Sequence, residues 1–401
     1  MKRFAGMLIA LLLLAGRAEA QLALPQLPPV PVPVPVPAPG QVLGVADSTL
    51  ATTLRAAREI RERALLRRFP RDLERDPRGA PVARSVILAL SPSESALASA
   101  RAAGFTVRSD EPLEALGERV VTMVAPPNLS TRRALDQLRR RDPGGRYDFS
   151  HVYFESAAQG AFDAGAPTSE PPAAVSPTVR IGLVDSGVRR DHPAFAAVRL
   201  ETFGCSGRSV PSVHGTAVAS LLVGRAANFH GSAPGATLFA ADAWCGDEMS
   251  GGRVEDIVRS LSWLAGQSVS VVNLSVVGPK NLVLETIVKR VQERGLVIVA
   301  AAGNDGPSAP PLYPAAYPGV IAVTAVDVRQ RALIEAARGK HVRFAAPGAD
   351  LMAASVSPDY AVVRGTSFAA PIIAGLIATR IGTGLDANAA LRSLALEARD
   401  L

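Results

Sequence analysis

From Val179 onward the sequence alternates short apolar runs with stretches of helical periodicity, and this alternation constrains the fold more than any other feature. Runs at 179–184, 237–243, 269–275, 296–302 and 320–326 read as strands, and 214–223, 253–265, 281–294 and 367–379 as helices. In 253–265 the residues Val254, Ile257, Val258, Leu261 and Leu264 share one helical face. Strand and helix in repetition predict an α/β fold, a parallel β-sheet flanked by helices on both faces. In such sheets sites form at the carboxyl ends of strands.

Several chemistry-bearing residues stand at those ends or at helix starts. Asp185 follows the first strand run at a glycine turn, and Asn304 follows the run 296–302. His214 opens a helix. Ser367 follows Gly365-Thr366 at the head of a helix whose apolar face is Ile372, Ile373, Leu376 and Ile377, with Pro371 expected in its first turn. At a helix N-terminus, free N–H groups and the dipole favour a developing anion. Taken singly, each residue is an ordinary turn former or cap. Taken together, Asp, His and Ser in this order form one of the known chain orders of a nucleophilic triad.

The motifs Asp185-Ser186-Gly187, His214-Gly215-Thr216, Asn273-Leu274-Ser275, Ala301-Ala302-Gly303-Asn304 and Gly365-Thr366-Ser367 occur in that order. By them, residues 178–395 resemble the subtilisin-like serine proteases, the subtilase family. The resemblance implies peptide-bond hydrolysis through an acyl-enzyme. Ser367 would be the nucleophile, His214 the base, Asp185 its orienting acid and Asn304 an oxyanion donor. Substrate would add as a strand to edges supplied by 243–252 and 274–278, where Gly251, Gly252, Ser275 and Gly278 match the family and Val276-Val277 depart from its Leu-Gly. The second valine is expected to narrow the primary pocket and favour small or medium apolar side chains. Ala217 stands where a second histidine is common in the family, which leaves the base itself in place. Many relatives also continue with a closing segment beyond the position of Leu401, which puts the sheet edge in question.

Ahead of this region, residues 1–20 combine Lys2 and Arg3, a short apolar run and Ala18-Glu19-Ala20, the pattern of a signal peptide. The apolar run is too short to span a bilayer. Residues 21–46 carry a proline-rich tract, a polyproline II spacer. Residues 47–80 form an arginine-rich helical leader, read as helical over 47–78, with only a weak apolar face. Residues 81–156 read as β-α-β-β-α-β, a small α+β ferredoxin-like domain. In place and size it resembles the inhibitory propeptides of secreted subtilases, which lay their last strand in the active cleft. Residues 157–177 would then be the linker that is cut, and 178–401 the catalytic domain. The rival reading is a permanent accessory domain.

Net charge is +7, but only four of the 43 basic residues are lysines, an arginine bias that reads as compositional habit. No basic run is interleaved with aromatics, so nucleic acid is not an expected partner. Membrane contact is expected only through the N-terminal region. Export to an oxidising compartment favours a disulfide between Cys205 and Cys245 over two buried thiols. Calcium is common in the family, yet no clustered Asp/Asn loop is evident, and no obligatory metal or cofactor is expected. The sequence thus predicts an exported serine endopeptidase, periplasmic, cell-surface or secreted, acting on proteins or peptides and held by its own N-terminal region. Its rivals are a binding protein on a dead protease fold and a surface-tethered protease that keeps its N-terminal arm.

Overall fold

The computed structural model describes residues 47–156, 175–207, 210–226, 229–246 and 251–398. The expected signal peptide, the proline-rich spacer and residues 157–174 of the expected linker lie outside the described residues.

The N-terminal part opens with helix α1 (Asp47–Arg68), followed by the short strand β1 (Leu73–Arg75). The helix ends earlier than the sequence reading placed it. Pro70 disfavours helical geometry at Phe69, and Leu73 turns inward to pack with Leu65 in a small apolar cluster. Then come β2 (Pro81–Leu90), α2 (Glu94–Ala102), β3 (Thr106–Leu113), β4 (Glu118–Val124), α3 (Thr131–Arg141) and β5 (Arg146–Glu155). Ser93 and Ser130 cap α2 and α3 by accepting the N–H groups of Ala96 and Arg133. The strands pair in the order β5-β2-β4-β3, all antiparallel, which is the predicted ferredoxin-like arrangement.

The sheet of this domain is buried on both sides. Ile87 and Ala89 of β2 face the core beneath α2 and α3, whereas Leu88 and Leu90 join a different core, shared with the second half of the chain. That is the physical meaning of the unbroken apolar run Val86–Leu90.

The second half begins with β6 (Arg180–Asp185), β7 (Leu200–Phe203), α4 (Val213–Val223), β8 (Arg225–Ala226), β9 (Phe229–His230), β10 (Thr237–Asp242), β11 (Gly252–Arg253) and α5 (Val254–Gly266). It continues with β12 (Val271–Leu274), β13 (Val276–Val277), α6 (Leu282–Glu293), β14 (Val297–Ala301), β15 (Ile321–Val326) and β16 (Val342–Pro347). A hairpin of β17 (Leu351–Ala354) and β18 (Tyr360–Val363) precedes α7 (Thr366–Gly382) and α8 (Ala387–Glu397). The strands β16-β15-β14-β12-β6-β10-β7 form one parallel sheet. Along β14, Val297, Val299 and Ala301 face the core with α4, α7 and α8, while Ile298 and Ala300 face the core with α5 and α6. Each of these buried valines and the isoleucine contributes roughly 1.5–3 kcal/mol. No described helix is long and apolar enough to cross a membrane.

The sequence reading did not include β7, β16, the β17–β18 hairpin or α8. In β16 exposed and buried residues alternate, Arg343 and Ala345 pointing outward, as befits an edge strand with one solvated face. The five strands β6, β10, β12, β14 and β15, buried on both faces, carry the strong apolar signal, and these all appear within two residues of their predicted bounds.

Two contacts tie β10 to its surroundings. Asp242 Oδ1 accepts the backbone N–H groups of Trp244 and Cys245, and Cys245 is joined to Cys205 in the expected disulfide. The cross-link closes a separation of 40 residues, worth about 4 kcal/mol if the effect is unfolded-state entropy. Urea unfolding of a Cys205→Ser/Cys245→Ser variant should therefore give a stability lower by about 2–4 kcal/mol. An unchanged midpoint would show that the cross-link does not constrain the cooperative unit.

Candidate active site

The order of strands places β6 inside the sheet, with β10 on one side and the central strand β12 on the other. The chain leaves β6 for one half and returns for the other, so a crevice opens beyond the carboxyl ends of β6 and β12. Asp185 is the last residue of β6 and is fully buried. Its Oδ1 accepts the backbone N–H and the hydroxyl of Ser186, at 2.7 and 3.1 Å, and contacts His214 Nδ1 at 2.7 Å. With Nδ1 donating, the imidazole is fixed in one orientation with Nε2 directed away from the carboxylate.

His214 is the second residue of α4 and is 3% exposed. Gly215 allows this approach, since a Cβ there would lie 2.0 Å from the carbonyl oxygen of Ser186. Ser186 Oγ in turn accepts the Gly215 N–H at 3.1 Å. Ser367 is the second residue of α7, buried, with Gly365 before the helix at φ 132°, a conformation that favours glycine. The ring of Phe368 lies 5.4 Å from that of His214, which puts the imidazole beside the start of α7.

Pro371 sits one turn deeper in α7 than expected. Lacking an N–H, it leaves the carbonyl of Ser367 without its usual helical partner. The hydroxyl of Ser275 donates to that carbonyl at 2.8 Å. The proline is tolerated because a side chain from the end of β12 replaces the missing hydrogen bond. Ser275 thereby braces the turn that carries Ser367.

The two edges named in the sequence reading both hold a strand, and that strand is β5. Gly252 and Arg253 pair with Tyr153 and Val152 on one side, and Val276 and Val277 pair with Glu155 and Phe154 on the other. Gly251 adjoins the first edge and is buried. Gly278 lies under the ring of Tyr153, where a Cβ would come within 2.5 Å of the ring. The Tyr153 hydroxyl donates to the Pro279 carbonyl at 2.7 Å.

Beyond β5, the N–H of Ser156 donates to the Ser275 carbonyl at 3.3 Å. The Ser156 carbonyl accepts the Ser367 N–H at 3.3 Å and a short hydrogen bond from Asn304 Nδ2. Asn304 Oδ1 accepts the Thr366 N–H at 3.1 Å, which fixes which end of the amide points at Ser156. The Ser156 side chain is buried against Thr366 Oγ1, 3.0 Å away. Two N–H donors thus converge on one peptide carbonyl beside a serine hydroxyl. That arrangement polarises a carbonyl toward nucleophilic attack.

The hydroxyl of Ser367 donates to the Ser275 carbonyl at 3.3 Å, and among the described residues His214 Nε2 has no hydrogen-bond partner. Ser156, Glu155 and Ser186 were not singled out as site residues by sequence reasoning. Their only sequence signals are the end of the last N-terminal strand and the position following Asp185. His151 and His192 lie outside the site. His192 accepts the Ala194 N–H, and His151 accepts from Asn281 Nδ2 at 2.9 Å. Burial alone would lower the pKa of His214, but the Asp185 and Glu155 carboxylates and the Asp185 hydrogen bond outweigh it and raise it to about 9.

A native value of about 9 against an ordinary 6.5 has a definite sign. The stabilisation is complete below the ordinary value and is lost as pH rises through the native one, a change on the order of 3 kcal/mol. Urea unfolding of the full-length Ser367→Ala chain from pH 5 to 10 should show stability falling between roughly pH 6.5 and 9. A flat profile across that window would contradict a charged imidazole.

The model of the subtilase family matches residues 176–383, more than half of the chain. Subtilisin E of Bacillus subtilis (strain 168) is 29% identical over 252 residues, which cover 60% of this chain and 66% of that protein, just under two thirds. The self-cleaved protease domain of PatA aligns with a TM-score of 0.50 at 26% identity, over 55% of this chain and 87% of that one. Fervidolysin from Fervidobacterium pennivorans, a keratinolytic enzyme related to subtilisin, shares the fold with a TM-score of 0.63 at 19% identity, over 76% of this chain and 56% of that one. A share of 76% exceeds the family-matched segment, so that likeness reaches into the N-terminal domain. The chain belongs to the subtilase family.

Proposed function

We propose that the chain is an exported serine endopeptidase, made as a precursor that cuts itself after Ser156. The single observation that carries this is the Ser156 carbonyl, which accepts both the Asn304 amide and the Ser367 N–H at the end of a strand laid between two sheet edges. A peptide bound this way presents its carbonyl carbon to Ser367. The Ser156–Ala157 bond would be the first bond cut, and residues 47–156 would be both substrate and inhibitor.

The mechanism follows from the charges. Ser367 Oγ attacks the carbonyl carbon while neutral His214 takes its proton at Nε2. Asp185 steadies the imidazolium, and the Asn304 and Ser367 N–H groups hold the oxyanion. Collapse of the tetrahedral intermediate breaks the C–N bond, with His214 returning the proton to the leaving amine, and water then releases the acyl group by the same route. A rotation of the Ser367 side chain from the Ser275 carbonyl toward Nε2 would begin the sequence.

Other substrates would add as a strand between β11 and β13, held mainly by backbone hydrogen bonds. The small, buried side chain of Ser156 supports a primary pocket suited to small groups. Export rests on the pattern of residues 1–20, and the disulfide accords with an oxidising destination. A neighbour described as a self-cleaved protease domain supports self-processing as a chemistry open to this fold.

Ser367→Ala should abolish self-cleavage and lower peptide hydrolysis by about 10⁶, and Asn304→Ala should lower turnover by about 10²–10³, both magnitudes taken from subtilisin itself. Steady-state kinetics on the processed enzyme measures the second; intact mass of freshly expressed protein measures the first. The first-formed fragment of the wild-type chain should begin at Ala157. A first cut elsewhere, or undiminished cleavage in Ser367→Ala, would overturn the reading.

A further inference from the structure

Glu155 immediately precedes the residue whose carbonyl is held by Asn304 and Ser367, and its pairing with Val276 places it beside the Asp185–His214 pair. Its Oε1 lies 3.0 Å from the Ser186 Oγ, whose one proton it shares with Asp185 Oδ1. One carboxylate oxygen each of Glu155 and Asp185 and a ring nitrogen of His214 lie within 4.8 Å of one another. Two carboxylates this close repel unless a positive charge stands with them. The imidazole of His214 is the group placed to carry such a charge between them.

An imidazolium has no lone pair at Nε2 and cannot take the proton of Ser367. The local geometry is consistent with an idle base. Ser367 Oγ donates to Ser275 instead, and among the described residues His214 Nε2 has no partner. The charged groups that bear on His214 are Asp185 from β6 and Glu155 from β5, and the uncharged ring of Phe368 from α7 lies beside its imidazole.

We propose that Glu155 is a charge latch on self-cleavage: its carboxylate keeps His214 in a form that cannot act as a base, and the latch leaves the site when β5 leaves. The proposal rests on the catalytic reading given above. It makes Glu155 a positioning residue of the precursor, acting through His214. It also makes an acidic residue before the cleaved one a poor choice in other substrates at neutral pH. The upward shift of the imidazole by both carboxylates supports the same direction, against the opposing effect of burial. Raising the pH removes the proton and frees the base, so cleavage of the precursor should be slow at pH 7 and fast in alkali.

The test compares pH profiles. In the wild-type precursor, single-turnover cleavage after Ser156 should rise with a midpoint near 9, the value to which His214 is raised. In Glu155→Gln the midpoint should fall by a unit or more. Cleavage at pH 7 should then quicken about tenfold per unit, as the neutral imidazole fraction does. Should the variant fail to fold, the processed enzyme can be given two peptides differing only by Glu or Gln before the cleaved residue. The Glu peptide should show the higher kcat midpoint. Equal midpoints in either pair overturn the latch. Failure of the catalytic reading looks different: Ser367→Ala would still cut, or the wild type would not cut after Ser156 at any pH.

Discussion

The hydrogen bonds that converge on the Ser156 carbonyl tie together parts of the chain that have no local reason to meet. Asn304 follows β14, Ser367 opens α7, and Ser156 ends the N-terminal domain. Each donor is itself fixed: the Asn304 amide by the Thr366 N–H, and the Ser367 turn by the hydroxyl of Ser275. A donor that must reorient during reaction gives up much of its electrostatic value, so these supporting contacts are part of the site. Ser275 has a third task, since its carbonyl accepts the Ser156 N–H. One residue at the end of β12 thus sets the height of the bound strand, the helix start and the resting position of the Ser367 hydroxyl.

The parallel sheet makes this convergence affordable. Strands buried on both faces need no polar groups within the layer, which leaves polar residues to gather where strands end. Asp185 sits at such an end, fully buried, and its charge is tolerated because it accepts from Ser186 and His214. Helix α7 runs through the core against β12, β14, β15 and β16, so Ser367 is carried by one of the most constrained elements of the chain. Packing on that scale keeps a side chain in place more surely than a loop could.

The parts of this design that could be read from the sequence are those with a strong local signature. Apolar strands, helical faces and the motifs at Asp185, His214, Asn304 and Ser367 all announce themselves in short windows. The structure brings Asp185 to His214 and Asn304 to the start of α7, over separations no periodicity could bridge. Features that depend on tertiary contact were not legible. The position of Pro371 looked like a first-turn proline, and only the Ser275 hydroxyl explains why it is tolerated deeper in the helix. Helix α1 looked solvated along its length, yet Leu65 finds Leu73, Val152 and Phe154 once β5 is in place. Glu155 carried no signal of its own, since its meaning depends on a register with Val276 fixed elsewhere in the chain.

The same register explains why the N-terminal domain and the rest of the chain are so closely matched. Leu88, Leu90, Leu113 and Val120 are buried in the core that α5 and α6 share, leaving their sheet no solvated face. Around that apolar contact runs a polar border: Glu255 accepts the Ser150 hydroxyl, Glu111 accepts both bonds from one Arg259 nitrogen, and Glu118 lies between Arg146 and Arg290. A domain built with two apolar sheet faces loses one of them to water when it departs. The catalytic half, by contrast, keeps its own sheet covered by α4 and α7 on one side and α5 and α6 on the other. The half that holds Asp185, His214 and Ser367 therefore keeps a sheet covered by its own helices, whereas one face of the N-terminal sheet is covered from the other half. Under the proposed reading, that asymmetry would give cutting after Ser156 a direction, because the smaller piece would be the one left with an uncovered apolar face.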